Sequence, residues 1–444
     1  MAFSRRTVFR GLAVATALAL TLSACAEDSE PTDPDDPACD AYADYQGHEG
    51  TSVSIYTPIT DADAEDLEES WAEFASCTGI EIAYEGTDEF EAQIRVRTQG
   101  GNPPDLAFTP QPGLIEELVA GGYVLPAPAE VQALAEENWS QDWRDYTTID
   151  GEYYGAPLGA FVKSYVWYSP SYFADNGYEV PQTWDEMIAL SDEIAATGIK
   201  PWCAGIASGD ATGWPATDWV EDVMLRLHDP DVYDQWWRHE IPFNDPRVAE
   251  AFDMVGEILK NDEYVNGGYG DADSIATTAF EDGGLTILDG TCAMHRQASF
   301  YANNFPDGTA IGEDGDVFAF AFPPIDPAAG QPVLGSGEFV IAFADRPEVA
   351  AVQTYLASAE WADSRAALGN WVTANLNVDA GSFESVIDQQ SLTLLQDPEA
   401  VFRFDASDVM PAAVGQGSFW TEITEWIVGQ DTQTTLNNIE SSWP

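Results

Sequence analysis

Residues 51–108, TSVSIYTPITDADAEDLEESWAEFASCTGIEIAYEGTDEFEAQIRVRTQGGNPPDLAF, decide the fold. Ser52-Val-Ser-Ile-Tyr56 alternates polar and apolar side chains, the period of a strand with one buried face. From Asp61 to Cys77 the apolar Leu67, Trp71 and Phe74 fall on one face of a helix, which Gly79 stops. Ile80-Glu-Ile-Ala-Tyr84 reads as a second strand, and Phe90 and Ile94 mark a second helix. After the Gly100-Gly-Asn-Pro-Pro104 break, Asp105-Leu-Ala-Phe108 is a third strand, followed by a short helix over 114–119. Strands and helices alternating at this spacing build a parallel sheet covered by helices, so the fold class is α/β.

The same alternation continues outward. Residues 162–168 are strand-like, and Thr183-Trp-Asp-Glu186 is a capping box that opens a helix over 184–197, with Gly198 behind it. Helical periodicity recurs over 219–227 and 247–259, and strands are expected at 285–288, 293–294 and 340–343. Two further helices are expected over 347–357 and 362–368. No internal repeat is present. The body reads as two α/β lobes with the chain crossing between them more than once.

Charge excludes several functions. The 444 residues carry 77 Asp+Glu against 16 Lys+Arg, a formal net charge of −61, and the only lysines are Lys163, Lys200 and Lys260. Nucleic acid is excluded as a partner, because neutralising phosphates needs a basic face that this composition cannot assemble. A coat of carboxylates keeps a protein soluble when salt screens its repulsion, which suits a salty external medium.

At the N-terminus, Arg5, Arg6 and Arg10 precede an apolar run over 11–22 that is too short to span a bilayer. Leu22-Ser-Ala-Cys25 resembles the lipobox of bacterial lipoproteins, in which the cysteine becomes the lipidated N-terminus. Residues 4–10 also resemble a twin-arginine export signal. The segment 26–37 is acidic and proline-rich with nothing to bury, so it reads as a solvated tether. Losing residues 1–24, with three arginines and no acid, takes the charge from −61 to −64. Cys39, Cys77, Cys203 and Cys292 remain, an even number that implies two disulfides with three possible pairings in an exported protein. Cys39–Cys77 with Cys203–Cys292 keeps each bridge within one lobe. No C-x-x-C occurs and the histidines number four, so no metal site is expected.

Together these pieces resemble the extracellular solute-binding proteins of bacterial carbohydrate ABC importers, in the maltose-binding-protein-like group. Gly100-Gly-Asn-Pro-Pro-Asp105-Leu-Ala-Phe108 is similar to that group's entry to its third strand, and Tyr153-Tyr-Gly-Ala-Pro157 with Lys163-Ser-Tyr-Val-Trp-Tyr168 to its first crossover. Phe280-Glu-Asp-Gly283 and Gly290-Thr-Cys-Ala-Met294 resemble a later strand region, with the halves set further apart than is usual. Met410-Pro411 with Phe419-Trp420 matches a stretch whose tryptophan stacks on sugar. Pro201-Trp-Cys-Ala-Gly, Thr212-Gly-Trp-Pro-Ala-Thr-Asp-Trp219 and His295-Arg-Gln-Ala-Ser-Phe300 are similar to the α-glucoside-binding branch.

The resemblance implies a two-lobed periplasmic-binding-protein-like fold that closes on sugar about a hinge. It implies no catalysis and no cofactor, with a permease in the membrane as partner and a lipid anchor on the outer face of the cytoplasmic membrane. The expected divisions are a signal peptide (1–24), a lipidated cysteine and acidic tether (25–48), an N-terminal lobe (49–160 with 335–376) and a C-terminal lobe (161–334 with 377–444). A monomer is expected.

A pyranose presents nearly flat C–H faces, which aromatic rings cover, and a hydroxyl rim, which carboxylates, amides and guanidinium groups hold. Trp420, before a helix in the polar Gly415-Gln-Gly-Ser loop, is the leading stacking candidate, with Trp214 between Gly213 and Pro215 as a second. Phe300 matches an aromatic on the ligand side of related receptors. Thr109 and Gln111 follow the third strand at its C-terminal end, and Tyr56 and Thr57 end the first, where open α/β sheets bind ligands. Arg296 follows a strand, Lys163 sits at the lobe crossover, and Glu338 stands where the branch often has an acid. Asp218 and Glu89 complete the set. The competing readings are core packing for the aromatics, ion pairing for Arg296 and Lys163, and a solvated coat for the carboxylates.

Other functions are weighed against this. A glycoside hydrolase would use paired carboxylates, but 77 acids make chance pairs common, and no G-x-S-x-G, H-E-x-x-H or P-loop occurs. Asp271-Ala-Asp273 lacks the glycine and closing glutamate of an EF-hand loop. A binding protein for a different solute is the main alternative.

Overall fold

Parallel pairing of β1 (Ser52–Thr57) with both β2 (Glu81–Gly86) and β3 (Leu106–Thr109) starts the larger sheet, with α1 (Asp61–Ser70) and α2 (Phe90–Gln99) lying in the connections. The computed structural model describes residues 37–383, 385–396 and 400–444, so the expected signal peptide, Cys25 and the tether as far as residue 36 lie outside the described residues. The long helix expected from Asp61 breaks at Trp71 (φ −115°, ψ 8°) and resumes as Ala72–Thr78. Gly79 stops it in the left-handed conformation.

Three further strands complete this six-stranded sheet. β4 (Gly155–Val162) runs antiparallel to β9 (Pro332–Ala342), which pairs antiparallel with β3 and parallel with β10 (Val401–Phe404). Lys163 and Ser164 alone separate β4 from β5 (Tyr165–Tyr168), the first strand of the second sheet. That sheet has the order β8-β5-β7-β6, from β6 (Lys200–Trp202), β7 (Cys292–Arg296) and β8 (Phe318–Ala321). Each sheet carries its own apolar core. Val53, Phe74, Phe108 and Trp361 are buried with the first, while Trp167, Trp202, Val223 and Met294 are buried with the second. Ala406, Met410 and Phe419, which follow β10, join the second core. The chain therefore passes between lobes at 163–164, at 322–331 and again at Asp405.

Several expectations are corrected. β10 lies in the first lobe's sheet, although 377–444 was assigned wholly to the second lobe. Its Val401–Phe404 lies alongside Pro332–Gly335 of β9. The tether expected to run to residue 48 ends earlier. Pro37–Tyr45 is a short helix anchored by the Cys39–Cys77 disulfide, with Tyr42 packed edge-on against Phe74 and Tyr355. The expected strand at 285–288 is a helical turn, Leu285–Ile287, where the preceding Gly283 and Gly284 bring the backbone close against Gly205 and the His295 ring.

The second bridge joins Cys203 to Cys292, with Cα atoms 5.8 Å apart. α3 (Trp184–Ala196) begins at a capping box. Thr183 Oγ1 accepts from the Glu186 amide at 3.2 Å, and Glu186 in turn accepts from the Gln182 amide at 2.7 Å. Among the described residues no helix is long and apolar enough to cross a membrane.

Candidate functional site

A cavity of about 230 Å³ lies between the lobes, with two chemically different walls. The first is aromatic. Trp214 is the first residue of α4 (Trp214–Leu227), because Gly213 takes φ 117° and the helix starts directly after it. Gly213 also allows a close approach, since a Cβ there would fall 2.3 Å from the Trp420 carbonyl oxygen. Trp214 therefore sits beside Trp420, the first residue of α6 (Trp420–Ile427), which a helical turn over Ala413–Phe419 precedes where a loop was expected. The Trp214 ring lies 5.1 Å from Phe280 and 6.1 Å from Phe300, and Phe300 meets Phe161 of the opposite lobe edge-on at 5.5 Å. Trp420 is buried but belongs to none of the apolar cores, and its indole N–H donates to Ser407 Oγ at 3.3 Å.

The second wall, from the first lobe, is polar. Gln111 donates to Glu91 Oε1 at 2.8 Å, while its own Oε1 has no partner. Glu338, on β9, faces the cavity without a hydrogen bond to any described residue. Gly159 leaves the room for this, because a Cβ there would meet the Trp371 indole nitrogen at 2.7 Å and Glu338 Oε2 at 3.3 Å. Arg365, on α5 (Ala359–Ala366), brings Nη2 to 3.5 Å from Asp66 and 3.8 Å from Asp63. Among the described residues Arg365 Nε and Trp371 Nε1 have no hydrogen-bond partner.

Burial shapes the charge on this wall. Desolvation, with the neighbouring Asp63, pushes the Glu338 carboxyl up to about 8, and Arg365 offsets only part of that. Desolvation also raises Glu91 to about 7 and Asp63 to about 6. Such groups can hold hydroxyls as donors or acceptors, depending on protonation.

Behind the aromatic wall lies a saturated ionic network. Lys163 Nζ donates to Asp218 at 2.9 Å and to Asp405, joining the β4–β5 crossover to the Asp405 crossover and to α4. Arg296 bonds Asp218 at 3.1 Å and Asp222 at 2.7 Å, and Arg226 also bonds Asp222. Burial opposes the charge on Lys163, but Asp218 and Asp405 outweigh it and hold the ammonium protonated. For Asp405 the same burial is outweighed chiefly by Lys163, so its carboxyl stays below the usual range. Asp218, Glu221 and Asp405 bring carboxylate oxygens within 4.8 Å of one another, the grouping a metal ion would use. Lys163 already neutralises two of them, and Glu221 accepts from the amides of Ala406 and Ser407 at 3.0 and 3.1 Å.

Of the twelve candidate residues, Gln111, Lys163, Trp214, Phe300, Glu338 and Trp420 line the cavity. The other six do not. Tyr56 turns into the first-lobe core against Phe90 at 5.2 Å, with Arg97 over its ring at 4.1 Å. Thr57 is buried and accepts from the Ile59 amide, and Thr109 is buried behind Pro110. Glu89 is exposed and accepts from Gln93. Asp218 is consumed by Lys163 and Arg296, and Arg296 by Asp218 and Asp222. Asp63, Glu91, Arg365 and Trp371 were missed. The topological rule that selected Gln111 also reaches the first turn of α1 beyond β1, where Asp63 stands, but nothing local marks Arg365.

Known proteins point the same way. The model of the bacterial extracellular solute-binding protein family matches residues 58–363. The osmoprotective compounds-binding protein GgtB of Synechocystis sp. is 42% identical over 396 residues, 88% of this chain and 92% of the relative. The alpha-glucosides-binding periplasmic protein AglE of Rhizobium meliloti is 38% identical over 415 residues, 90% of this chain and 88% of the relative. Among solved structures, the bacterial solute receptor AcbH superposes with a TM-score of 0.76 at 20% identity, covering 89% of this chain and 98% of the receptor. The maltose-bound MalE3 of T. maritima superposes at 0.67 and 13% identity, covering 88% and 98%. Both share the two-lobed fold.

Proposed function

Because the chain belongs to the bacterial extracellular solute-binding protein family, we propose that it captures a neutral sugar, an α-glucoside di- or oligosaccharide, between its lobes and delivers it to the permease of an ABC importer. The observation that carries this is the pairing of walls in one cavity. Trp214, Trp420 and Phe300 offer faces for a pyranose, while Glu338, Glu91, Asp63 and Arg365 offer a hydrogen-bonding rim. Arg365 is outnumbered by carboxyls there, which disfavours an anionic ligand. The walls belong to different lobes, so a ligand that bridges them favours the closed arrangement through its contacts to both. Micromolar capture needs about 8 kcal/mol, within reach of a few charge-assisted hydrogen bonds and one or two stacked rings. In this reading Leu22-Ser-Ala-Cys25 supplies the lipid anchor that keeps the receptor beside its permease.

A second reading has its own support. The relative that is 42% identical is named for osmoprotective compounds, and a net charge of −61 suits a salty medium. A compact polyhydroxylated osmolyte would use the same two walls. A thermal-shift screen against mono-, di- and oligosaccharides and small polyols, at low and high salt, separates the readings. A shift with one α-linked disaccharide, recovered uncleaved, supports the first. A shift with polyols alone supports the second, and a cleaved sugar would favour a hydrolase.

A further inference from the structure

Helix α2 of the first lobe has no cap of its own. Its N-cap residue, Glu89, accepts no backbone amide of the first turn on its side chain, which instead takes the Gln93 side chain. The amide of Ala92, in that first turn, instead donates at 2.7 Å to Asp210 Oδ2, a residue of the second lobe 118 positions away. A carboxylate at a helix N-terminus satisfies an orphan N–H and meets the positive end of the helix dipole. Here the cap arrives across the cleft.

Two further contacts show that this rim is built for close approach. Gly209 takes φ +54°, and a Cβ on it would lie 2.3 Å from the Asp88 carbonyl oxygen, so only glycine lets the 208–211 turn reach the start of α2. Elsewhere on the cleft, Asn303 of the second lobe donates to Asp63 of the first. Asp63 and Asn303 line the cavity and so are available to ligand, whereas Asp210 and Ala92 do not line it.

We propose that Asp210 is a closure latch: it sets the fraction of closed protein, and hence the affinity for every ligand, without touching any of them. The proposal rests on capture by closing of the lobes. Apparent affinity scales with the population of the binding-competent state, so a lost latch weakens all ligands by one common factor.

The test compares wild type with Asp210→Asn, Asp210→Ala and Asp210→Lys in the full protein. Asp210 is exposed, so the melting temperature checks that each variant folds. Two readouts are used: calorimetric affinity for the sugars that shift the wild type, and the distance between spin labels on the two lobes of the empty protein. The account expects affinity losses in the order Asn, Ala, Lys, about threefold to tenfold for Ala, which is the size of one capping interaction. The ranking of ligands stays fixed and the labels move apart. Unchanged affinities with an unchanged label distance overturn the latch, as does a loss confined to one ligand, which would make Asp210 a ligand contact. The label distance keeps the test decisive if no sugar binds, because it reads closure in the empty protein.

Discussion

Two groups of buried charge lie within this molecule, and they differ in how far the protein satisfies them. In the network of Lys163, Asp218, Asp222, Arg226, Arg296 and Asp405, every charge has an opposite partner and most have two. On the cavity wall, Glu338 has no hydrogen bond to any described residue, and among the described residues Gln111 Oε1, Arg365 Nε and Trp371 Nε1 have no partner either. The residue types are alike, and saturation separates them. A charge already consumed by protein partners holds the fold, whereas one with open valences facing a cavity is available to a ligand.

The largest expected effect comes from breaking the saturated group. Arg296→Met takes one of two cationic partners from each of Asp218 and Asp222 in the interior, leaving them Lys163 and Arg226 alone, and removing one partner of a buried ion pair costs about 3–5 kcal/mol. Chemical denaturation should show that loss. A variant as stable as wild type would show that the network carries no stability.

Glu338 should behave in the opposite way. Its folded pKa of about 8 stands above the usual carboxylate value, so the stability linked to its protonation is complete at low pH and is lost as pH rises through about 8. The whole window is worth on the order of a few kcal/mol at about 1.4 kcal/mol per unit. The melting temperature of the empty protein should therefore fall from pH 5 to pH 9 more steeply in wild type than in Glu338→Gln. Glu91 and Asp63 shift in the same direction and remain in the variant, so part of the slope persists. Identical profiles would place Glu338 in ordinary solvent.

The contrast also explains what was legible in the sequence. β1 was readable from the alternation of Ser52-Val-Ser-Ile-Tyr56, and β3 from the short apolar run that follows the Gly100-Gly-Asn-Pro-Pro104 break. β4, Gly155-Ala-Pro-Leu-Gly-Ala-Phe-Val162, is buried along its whole length and rich in glycine and alanine, so it offers no alternation to read. Glu338 and Gln111 could be placed by motif and strand end. Arg365 could not, because it meets Asp63 only through folding, across about three hundred positions. Of the two readings open for Arg296, ligand contact and ion pairing, the structure shows the ion pairs, with Asp218 and Asp222 on α4. Asp218 and Asp222, four residues apart on one helical face, are the signal that a strand cation would be claimed by them.

The account's central claim is that the cavity between the lobes is where solute is held, and a calorimetric titration of Trp420→Ala tests it most directly. Trp420 lies outside the apolar cores and against the cavity, so the variant should stay folded and bind the sugar that stabilises wild type at least tenfold more weakly, about 1.4 kcal/mol. Unchanged affinity in a folded variant would remove Trp420 from the site and contradict the assignment of the aromatic wall to ligand.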